Sequence, residues 1–289
     1  PEGRRLSSAH DMGREYRVQR ALASHPEAGV PVPTPVAYCD DPAVNDTPLY
    51  VMEFVAGRIL RSPDDARDLT ADQCDAATDA LVNTQIAMHH LDPTAVGLGD
   101  LGRPDGYLER QLKRWMRQYE AGKFRELPAL ESLHTELLRR LPAQQDVGLV
   151  HGDYRFDNAV LRDDFSMAAV LDWELCTLGD PVADFAWSVS FWSDPDQDWD
   201  FGSPSPTRHP AFARRTQVIE RYAERSGYDL GEFPYYQAFC YWKMAAVTEG
   251  AAGRIRSGGG GGMSSGDATG PMAKVLRLLD LATEAVDQL

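Results

Sequence analysis

Three side chains with oxygen donors occur at spacings that would let them share one hard divalent cation. Asp153 and Asn158 are five positions apart, and Asp172 follows Asn158 by fourteen residues. Carboxylate and amide oxygens are ligands that Mg²⁺ accepts in proteins. Phosphoryl transfer from a nucleotide needs such a metal, together with a carboxylate beside the acceptor hydroxyl. The residue types and their spacing therefore indicate chemistry on a nucleotide phosphate.

A predicted β-hairpin would bring these side chains together. The apolar stretches that have the composition of strands are 148–150, 159–161 and 168–171. The acidic pair at 163–164 supplies a turn between the last two. Because a hairpin brings its two ends together, Asn158 entering it and Asp172 leaving it can reach the same ion. Asp153 would remain on the approach loop beside them.

Helical stretches surround the predicted hairpin. Apolar periodicity bounded by Asp, Gly and Pro predicts one helix behind the capping run Ser8 to Asp11 and through Ala23. The other predicted helices are 71–91, 107–121, 129–141, 183–191, 211–226, 235–255 and 271–286. Two extended segments, 36–39 and 49–55, come before Gly57. We therefore expect two domains, 1–57 and 58–289.

The composition argues against several classes of partner. The formal net charge of -15 and the pI near 4.8 disfavour a nucleic-acid partner, because phosphate backbones are repelled. No membrane partner is expected, since no apolar stretch approaches the roughly 20 residues of a membrane helix. The four cysteines form no Cys-x-x-Cys pair, which favours a reducing, cytoplasmic location. Composition leaves the oligomeric state open.

The polar run around Asp153 and the segments after it resemble the signature of the aminoglycoside phosphotransferase and choline kinase superfamily. The matching segments are His151-Gly152-Asp153-Tyr154-Arg155-Phe156-Asp157-Asn158, Leu171-Asp172-Trp173-Glu174, Gly179-Asp180-Pro181 and Asp184. The resemblance implies a bilobal, protein-kinase-like α+β fold with a truncated N-lobe and a mainly helical C-lobe. It also implies a small-molecule kinase, since Trp173-Glu174 stands where protein kinases carry Phe-Gly.

The resemblance also implies roles for individual residues. Asp153 would be the catalytic base or the carboxylate that orients the acceptor hydroxyl, while Asn158 and Asp172 would hold Mg²⁺. His151 and Arg155 are grouped with Asp153 in the catalytic loop. The residues expected to support this loop are Glu174, Asp180 and Asp184, with His151 bracing it as well.

The first lobe resembles the family more weakly. Residues 49–57 are similar to the last N-lobe strand and hinge, where the backbone of Glu53 and Val55 would bond the adenine edge of ATP, or the purine of GTP. Glu15 matches the glutamate that pairs with a phosphate-binding lysine. That lysine and the glycine-rich strand pair would fall upstream of Pro1 and are not in this sequence.

Two explanations of this departure stay open: truncation of an active kinase, or a non-catalytic nucleotide-binding module. The intact Asp153, Asn158 and Asp172 favour truncation, and we expect little phosphotransfer from this segment alone. A hydrolase using Ser264, within a G-x-S-x-G match, is a further alternative. The glycine run 258–262 beside it reads as a flexible loop whose role is open.

The sequence does not identify the acceptor beyond a small-molecule hydroxyl. Segment 8–18 resembles the kinase-like domains attached to certain acyl-CoA dehydrogenases, which favours a hydroxyacyl compound over an aminoglycoside-like acceptor but leaves both open. The same resemblance allows a dehydrogenase label by association. Basic residues at helical spacing could bind an anionic acceptor or simply form a solvated face. These residues are Arg110, Arg114 and Arg117.

Overall fold

The chain combines many helices with a few short strands. The computed structural model describes residues 11–123, 125–256 and 269–289. The helices are α1 (Met12–Ala23), α2 (Ala71–His90), α3 (Tyr107–Gly122), α4 (Pro128–Arg139), α5 (Pro181–Ser190), α6 (Arg215–Ser226), α7 (Phe233–Arg256) and α8 (Thr269–Val286). The strands are β1 (Pro35–Cys39), β2 (Leu49–Met52), β3 (Gly148–Val150), β4 (Ala159–Leu161), β5 (Met167–Val170) and β6 (Thr177–Gly179).

The described residues form two compact units, and one of them is built from helices. It contains residues 105–144 and 229–289, with the gaps named above, and holds α3, α4, α7 and α8. Helix α7 packs against the other three. The indole Nε1 of Trp242 donates to the carbonyl of Leu130 at 3.0 Å, and the Tyr235 hydroxyl donates to the carbonyl of Leu137 at 2.9 Å. These buried aromatic side chains therefore pack with their polar atoms satisfied.

The second unit contains the strands and the predicted site. Its described residues are 11–104 and 145–228. The strands form three antiparallel pairs, β1 with β2, β3 with β6, and β4 with β5. Helix α1 packs on the first pair, and α2 packs against α6 and β3. The β4–β5 pair is the hairpin that the sequence predicts.

Local sequence explains where several of these helices begin. The Asp11 carboxylate accepts a hydrogen bond from the Arg14 amide at 3.1 Å and caps α1. At α2, Thr70 and Gln73 form a reciprocal capping box. The Asp180 carboxylate caps α5, with Pro181 in the first turn, where its missing amide hydrogen costs nothing.

The observed elements depart from the sequence-based expectation by more than two residues in three places. Strand β2 ends at Met52 instead of Val55, because the chain leaves the ladder after the Glu53 amide donates to the Thr34 carbonyl at 2.8 Å. Strand β6 was not predicted, and its three residues pair with β3. Helix α6 begins at Arg215 rather than Ala211.

Some expectations are not decided by the described residues. The capping residues Ser8 to His10, the glycine run 258–262 and Ser264 lie outside them. The domain boundary at Gly57 stays a prediction. Among the helices of the described ranges, none is long and apolar enough to cross a membrane.

Candidate active site

The β4–β5 hairpin brings the two predicted metal ligands, Asn158 and Asp172, close together in space. Ala159 pairs with Val170, and the Leu171 amide donates to the Asn158 carbonyl at 2.8 Å. Asn158 therefore lies opposite Leu171, and Asp172 is the next residue after Leu171. Alternating short apolar runs with a turn between them produce this arrangement from local sequence.

The Asn158 side chain also contacts Asp153. Its Nδ2 donates to the Asp153 carbonyl at 2.9 Å and lies 3.3 Å from the carboxylate atom Oδ2. With the amide nitrogen used in this way, Asn158 Oδ1 has no hydrogen-bond partner among the described residues. The same is true of the Asp172 carboxylate, which is exposed. These oxygens are thus available to a cation.

Asp172 has an unusual backbone conformation. Its φ of 64° lies in the left-handed region, which L-residues other than glycine rarely adopt. Such conformations persist where the surroundings over-determine them, and they cluster at functional sites. The backbone of Asp172 thus stores strain at the position predicted to bind metal.

The Asp184 carboxylate holds the start of the loop 151–158, which is the predicted catalytic loop. It is 2% exposed and accepts hydrogen bonds from the amides of Gly152 at 2.8 Å and His151 at 3.2 Å. His89 Nε2, at 3.1 Å, and Gln85 Nε2, at 3.3 Å, approach the same carboxylate. Although burial alone raises the pKa of Asp184, the hydrogen bond and charge of His89 hold this pKa below its ordinary value.

His151 is placed as a brace within the loop. It is fully buried, and its Nε2 donates to the Leu171 carbonyl at 2.9 Å. The amide of Asp153 lies 3.3 Å from the other ring nitrogen, and the ring packs on Trp173 with centroids 4.8 Å apart. The side chain thus links the loop to the end of the hairpin, and its expected roles in bracing and catalysis stay predictions.

Glu15 and Asp180 are two further residues of the predicted site. Glu15 Oε1 is 3.4 Å from the Trp173 amide, next to Asp172, and burial raises the pKa of Glu15. Among the described residues Glu15 has no ion-pair partner. Asp180 is 1% exposed and accepts from the amides of Val182 at 2.9 Å and Ala183 at 3.2 Å. Glu174 is half-buried, and its supporting role stays a prediction.

The predicted hinge runs beside an apolar surface of the hairpin. Val55 packs on a cluster of buried side chains from β4 and β5. Among the described residues, neither the Glu53 carbonyl nor the Val55 amide has a hydrogen-bond partner. Gly57 approaches β4 so closely that a Cβ there would lie 2.5 Å from the Leu161 carbonyl oxygen. An exposed edge with one acceptor and one donor above an apolar surface suits a purine ring.

Arg155 lies between the loop and a neighbouring recess. Its Nε is 3.4 Å from Asp153 Oδ1, and its Nη1 is 3.1 Å from Asp157 Oδ2 and donates to Ser203 Oγ at 3.2 Å. The guanidinium also stacks on Phe191, 4.8 Å from the ring centroid. Arg155 Nε is buried without a hydrogen-bond partner among the described residues.

The recess beside Arg155 is a shallow surface depression that is open to solvent. Its walls are aromatic rings, prolines and hydroxyl groups, contributed by Phe156, Trp192, residues 203–207 and their neighbours. Arg155 and Asp157 supply its charged groups, while Asp153, Asn158 and Asp172 are not part of the lining. Burial raises the pKa of Asp157.

The basic residues on α3 belong to the helical unit. Arg110 is half-buried, whereas Arg114 and Arg117 are exposed. The Arg117 Nε donates to the Lys113 carbonyl at 3.2 Å, and the Arg114 guanidinium lies 5.5 Å from the centroid of Trp115. Their suggested contact with an anionic acceptor stays a prediction.

Two buried polar residues of this site were missed by sequence reasoning. Gln85 and His89 are one turn apart on α2, and both contact Asp184. The sequence does indicate that these two side chains have a partner, because an amide or an imidazole on the buried face of a helix is nearly always hydrogen-bonded. The sequence does not say that the partner lies about a hundred residues away.

The described residues contain no cluster of three or more His, Cys, Asp or Glu side chains that could hold a metal. The predicted donor set has a different make-up, with an amide oxygen beside carboxylates, and such oxygen ligands are those that Mg²⁺ prefers. The donor chemistry therefore fits Mg²⁺ on the basis of the available oxygens of Asn158 and Asp172.

Comparison with known proteins identifies a family and individual relatives of this chain. The family described as "Phosphotransferase enzyme family" (APH) matches residues 3–230. "Acyl-CoA dehydrogenase family member 11" of Gallus gallus is 35% identical over 275 residues, covering 92% of this chain and 34% of that protein. "Acyl-CoA dehydrogenase family member 10" of Mus musculus is 35% identical over 265 residues, covering 89% and 24%. The chain thus spans 34% and 24% of the lengths of these two relatives.

Solved structures show the same fold. A candidate aminoglycoside phosphotransferase from Ralstonia eutropha has a TM-score of 0.81 and 31% identity, covering 96% of this chain and 83% of that chain. A thermostable mutant of aminoglycoside phosphotransferase APH(4)-Ia, solved with ADP and hygromycin B, has a TM-score of 0.62 at 11% identity, covering 94% and 82%. The predicted kinase-like α+β fold with a helical C-lobe is confirmed.

Proposed function

The chain belongs to the phosphotransferase enzyme family, and on this premise we propose that it transfers the γ-phosphoryl group of ATP to a hydroxyl of a small molecule. The observation that carries this proposal is the contact of Asn158 with Asp153 at one end of a hairpin whose other end carries Asp172. It provides a carboxylate for the acceptor hydroxyl beside oxygens for a metal.

Asp153 would orient the acceptor hydroxyl and receive its proton as the new O–P bond forms, while the bond between the γ-phosphorus and the bridging oxygen breaks and ADP leaves. The amide of Asn158 and the guanidinium of Arg155 contact different carboxylate oxygens of Asp153, which fixes the plane of the carboxylate. Holding a reacting group in one orientation removes rotational freedom before the reaction, which lowers the barrier.

Asn158 Oδ1 and the Asp172 carboxylate would hold Mg²⁺, and Mg²⁺ when bound neutralises charge on the nucleotide phosphates. The strained backbone of Asp172 supports this assignment, since it fixes the direction of that side chain. The brace from His151 to the Leu171 carbonyl keeps Asp172 in register with the loop.

ATP would bind at the hinge. The Glu53 carbonyl would accept from the exocyclic amine of adenine, the Val55 amide would donate to a ring nitrogen, and the apolar cluster of β4 and β5 would contact the ring. Related structures solved with ADP or AMP-PNP support an adenine nucleotide.

The recess beside Arg155 is our candidate for the acceptor site. Its single guanidinium offsets Asp157, so the lining has no surplus negative charge to attract a polycation such as an aminoglycoside. Aromatic walls with hydroxyl groups suit an acceptor that is partly apolar and carries oxygen atoms, such as a hydroxyacyl compound.

The test is a nucleotide-consumption screen against hydroxylated small molecules, including hydroxyacyl compounds and aminoglycosides. The protein should be expressed with any sequence that precedes residue 1 in its gene. We expect acceptor-dependent ADP formation that falls by about 10²-fold or more in Asp153→Asn. Asp163→Asn, in the exposed hairpin turn, is the matched control and should retain activity. Equal rates for the two variants would refute the assignment of Asp153.

A further inference from the structure

A buried chain of polar contacts connects α6, through α2, to the catalytic loop. The Tyr222 hydroxyl lies 2.7 Å from His89 Nδ1, and His89 Nε2 lies 3.1 Å from Asp184 Oδ2. Asp184 in turn accepts from the amides of His151 and Gly152. All three linking side chains are at most 2% exposed. None of these contacts can therefore be replaced by bulk water.

The chemistry of the partners fixes one proton in this chain. An ionised carboxylate only accepts hydrogen bonds, so His89 Nε2 must carry hydrogen and donate to Asp184. At Nδ1 the Tyr222 hydroxyl can serve either form of the ring, because a hydroxyl donates to a bare ring nitrogen and accepts from a protonated one. Removing the ring would leave both the carboxylate and the hydroxyl short of a partner in a dry interior.

The position of Tyr222 is itself fixed from both sides. Its ring stacks on Phe185, with centroids 3.7 Å apart. On the surface, Arg221 and Arg225 of α6 both donate to Asp79 of α2, at 2.6 and 2.8 Å. Helices α2 and α6 are thus tied together, and His89 is directed at Asp184.

The two amides that Asp184 accepts immediately precede Asp153 in the chain. Gly152 has a φ of 85°, and a Cβ there would lie 2.9 Å from the Cβ of Leu175, so the loop backbone has little alternative space. Loss of an anchor at this point would displace the carboxylate of Asp153. Supporting shells of this kind typically change activity by about 10- to 100-fold when removed.

We propose that His89, held by Tyr222, is a positioning residue for the phosphoryl transfer and acts through Asp184 on the backbone that carries Asp153. This inference rests on the proposed function. It assigns no contact of His89 with either substrate, so it predicts an effect on turnover and none on nucleotide binding.

The test compares His89→Gln with His89→Asn in the protein expressed with any sequence that precedes residue 1 in its gene. The glutamine amide nitrogen can reach the place of Nε2 and keep the bond to Asp184, whereas the shorter asparagine amide reaches only the place of Nδ1. We expect kcat to stay within about threefold for His89→Gln and to fall at least about tenfold for His89→Asn, with KM for the nucleotide unchanged. Equal kcat values, or a change confined to KM, would overturn the proposal.

Hydrogen exchange separates positioning from general destabilisation, and from failure of the proposed function. In His89→Asn the amides of His151 and Gly152 should exchange faster, while amides in α7 keep their protection. This arm needs no turnover. Tyr222→Phe, which removes one oxygen, serves if His89→Asn does not fold, and it should give the same local pattern with a smaller fall in kcat. Unchanged exchange at Gly152 in both variants contradicts the proposal.

Discussion

Asp184→Ala should be among the most destabilising substitutions in the site. The carboxylate accepts hydrogen bonds from the amides of Gly152 and His151, at 2.8 and 3.2 Å, and is approached by His89 and Gln85 at 3.1 and 3.3 Å. Breaking a buried, charged network by removing one partner costs about 3–5 kcal/mol, because the remaining donors are left unpaired. Against a total stability of roughly 5–15 kcal/mol, this is a large fraction.

Urea denaturation followed by tryptophan fluorescence measures this loss. The midpoint should fall with an unchanged dependence on urea, because the surface exposed on unfolding is the same. The matched control is Asp163→Ala, an exposed carboxylate of the hairpin turn, which should stay within about 0.5 kcal/mol of the parent. A loss of less than about 1 kcal/mol in Asp184→Ala would refute the view that this carboxylate holds the loop.

Three other outcomes follow from the same geometry. The fold holds the pKa of Asp184 low, so the parent should have a higher free energy of unfolding than Asp184→Asn at and above about pH 5. This difference should shrink as the pH falls below the ordinary pKa of Asp. A difference that grows in acid would contradict the prediction. Gly152→Ala should lose at least about 1–2 kcal/mol, since its φ is 85° and the added Cβ meets Leu175, and parent-like melting would contradict this. The free energy of unfolding of Asp172→Gly should be about 1 kcal/mol higher than that of Asp172→Ala, because only glycine adopts a φ of 64° freely. A lower free energy of unfolding for Asp172→Gly would count against stored strain.

Local patterns in the sequence predict the part of the site that local structure builds. Short apolar runs around an acidic turn determine the β4–β5 hairpin, so Asn158 and Asp172 could be expected at neighbouring positions. The cap of α5 at Asp180 and Pro181 is a local signal of the same kind, although the predicted helix began at residue 183, two residues after the observed start. These features depend on contacts within a few residues, which periodicity and turn chemistry describe well.

Features that depend on long-range packing could not be predicted. His89 and Asp184 are 95 positions apart, and no local pattern says that α2 delivers an imidazole to the catalytic loop. The three residues of β6 are a strand only because β3 pairs with them. Residues 53–55 have the composition of a strand, but they lie beyond the end of β2 at Met52. Composition does not distinguish a paired strand from an extended segment that has no partner strand.

Titration calorimetry of a non-hydrolysable ATP analogue, with and without Mg²⁺, tests the central claim that Asp153, Asn158 and Asp172 gather at one metal-nucleotide site. Mg²⁺ should strengthen binding to the parent chain and to Asp163→Ala. In Asp172→Ala the metal-free affinity should persist, because the hinge is untouched, while the gain from Mg²⁺ disappears. An undiminished gain from Mg²⁺ in Asp172→Ala would contradict the claim.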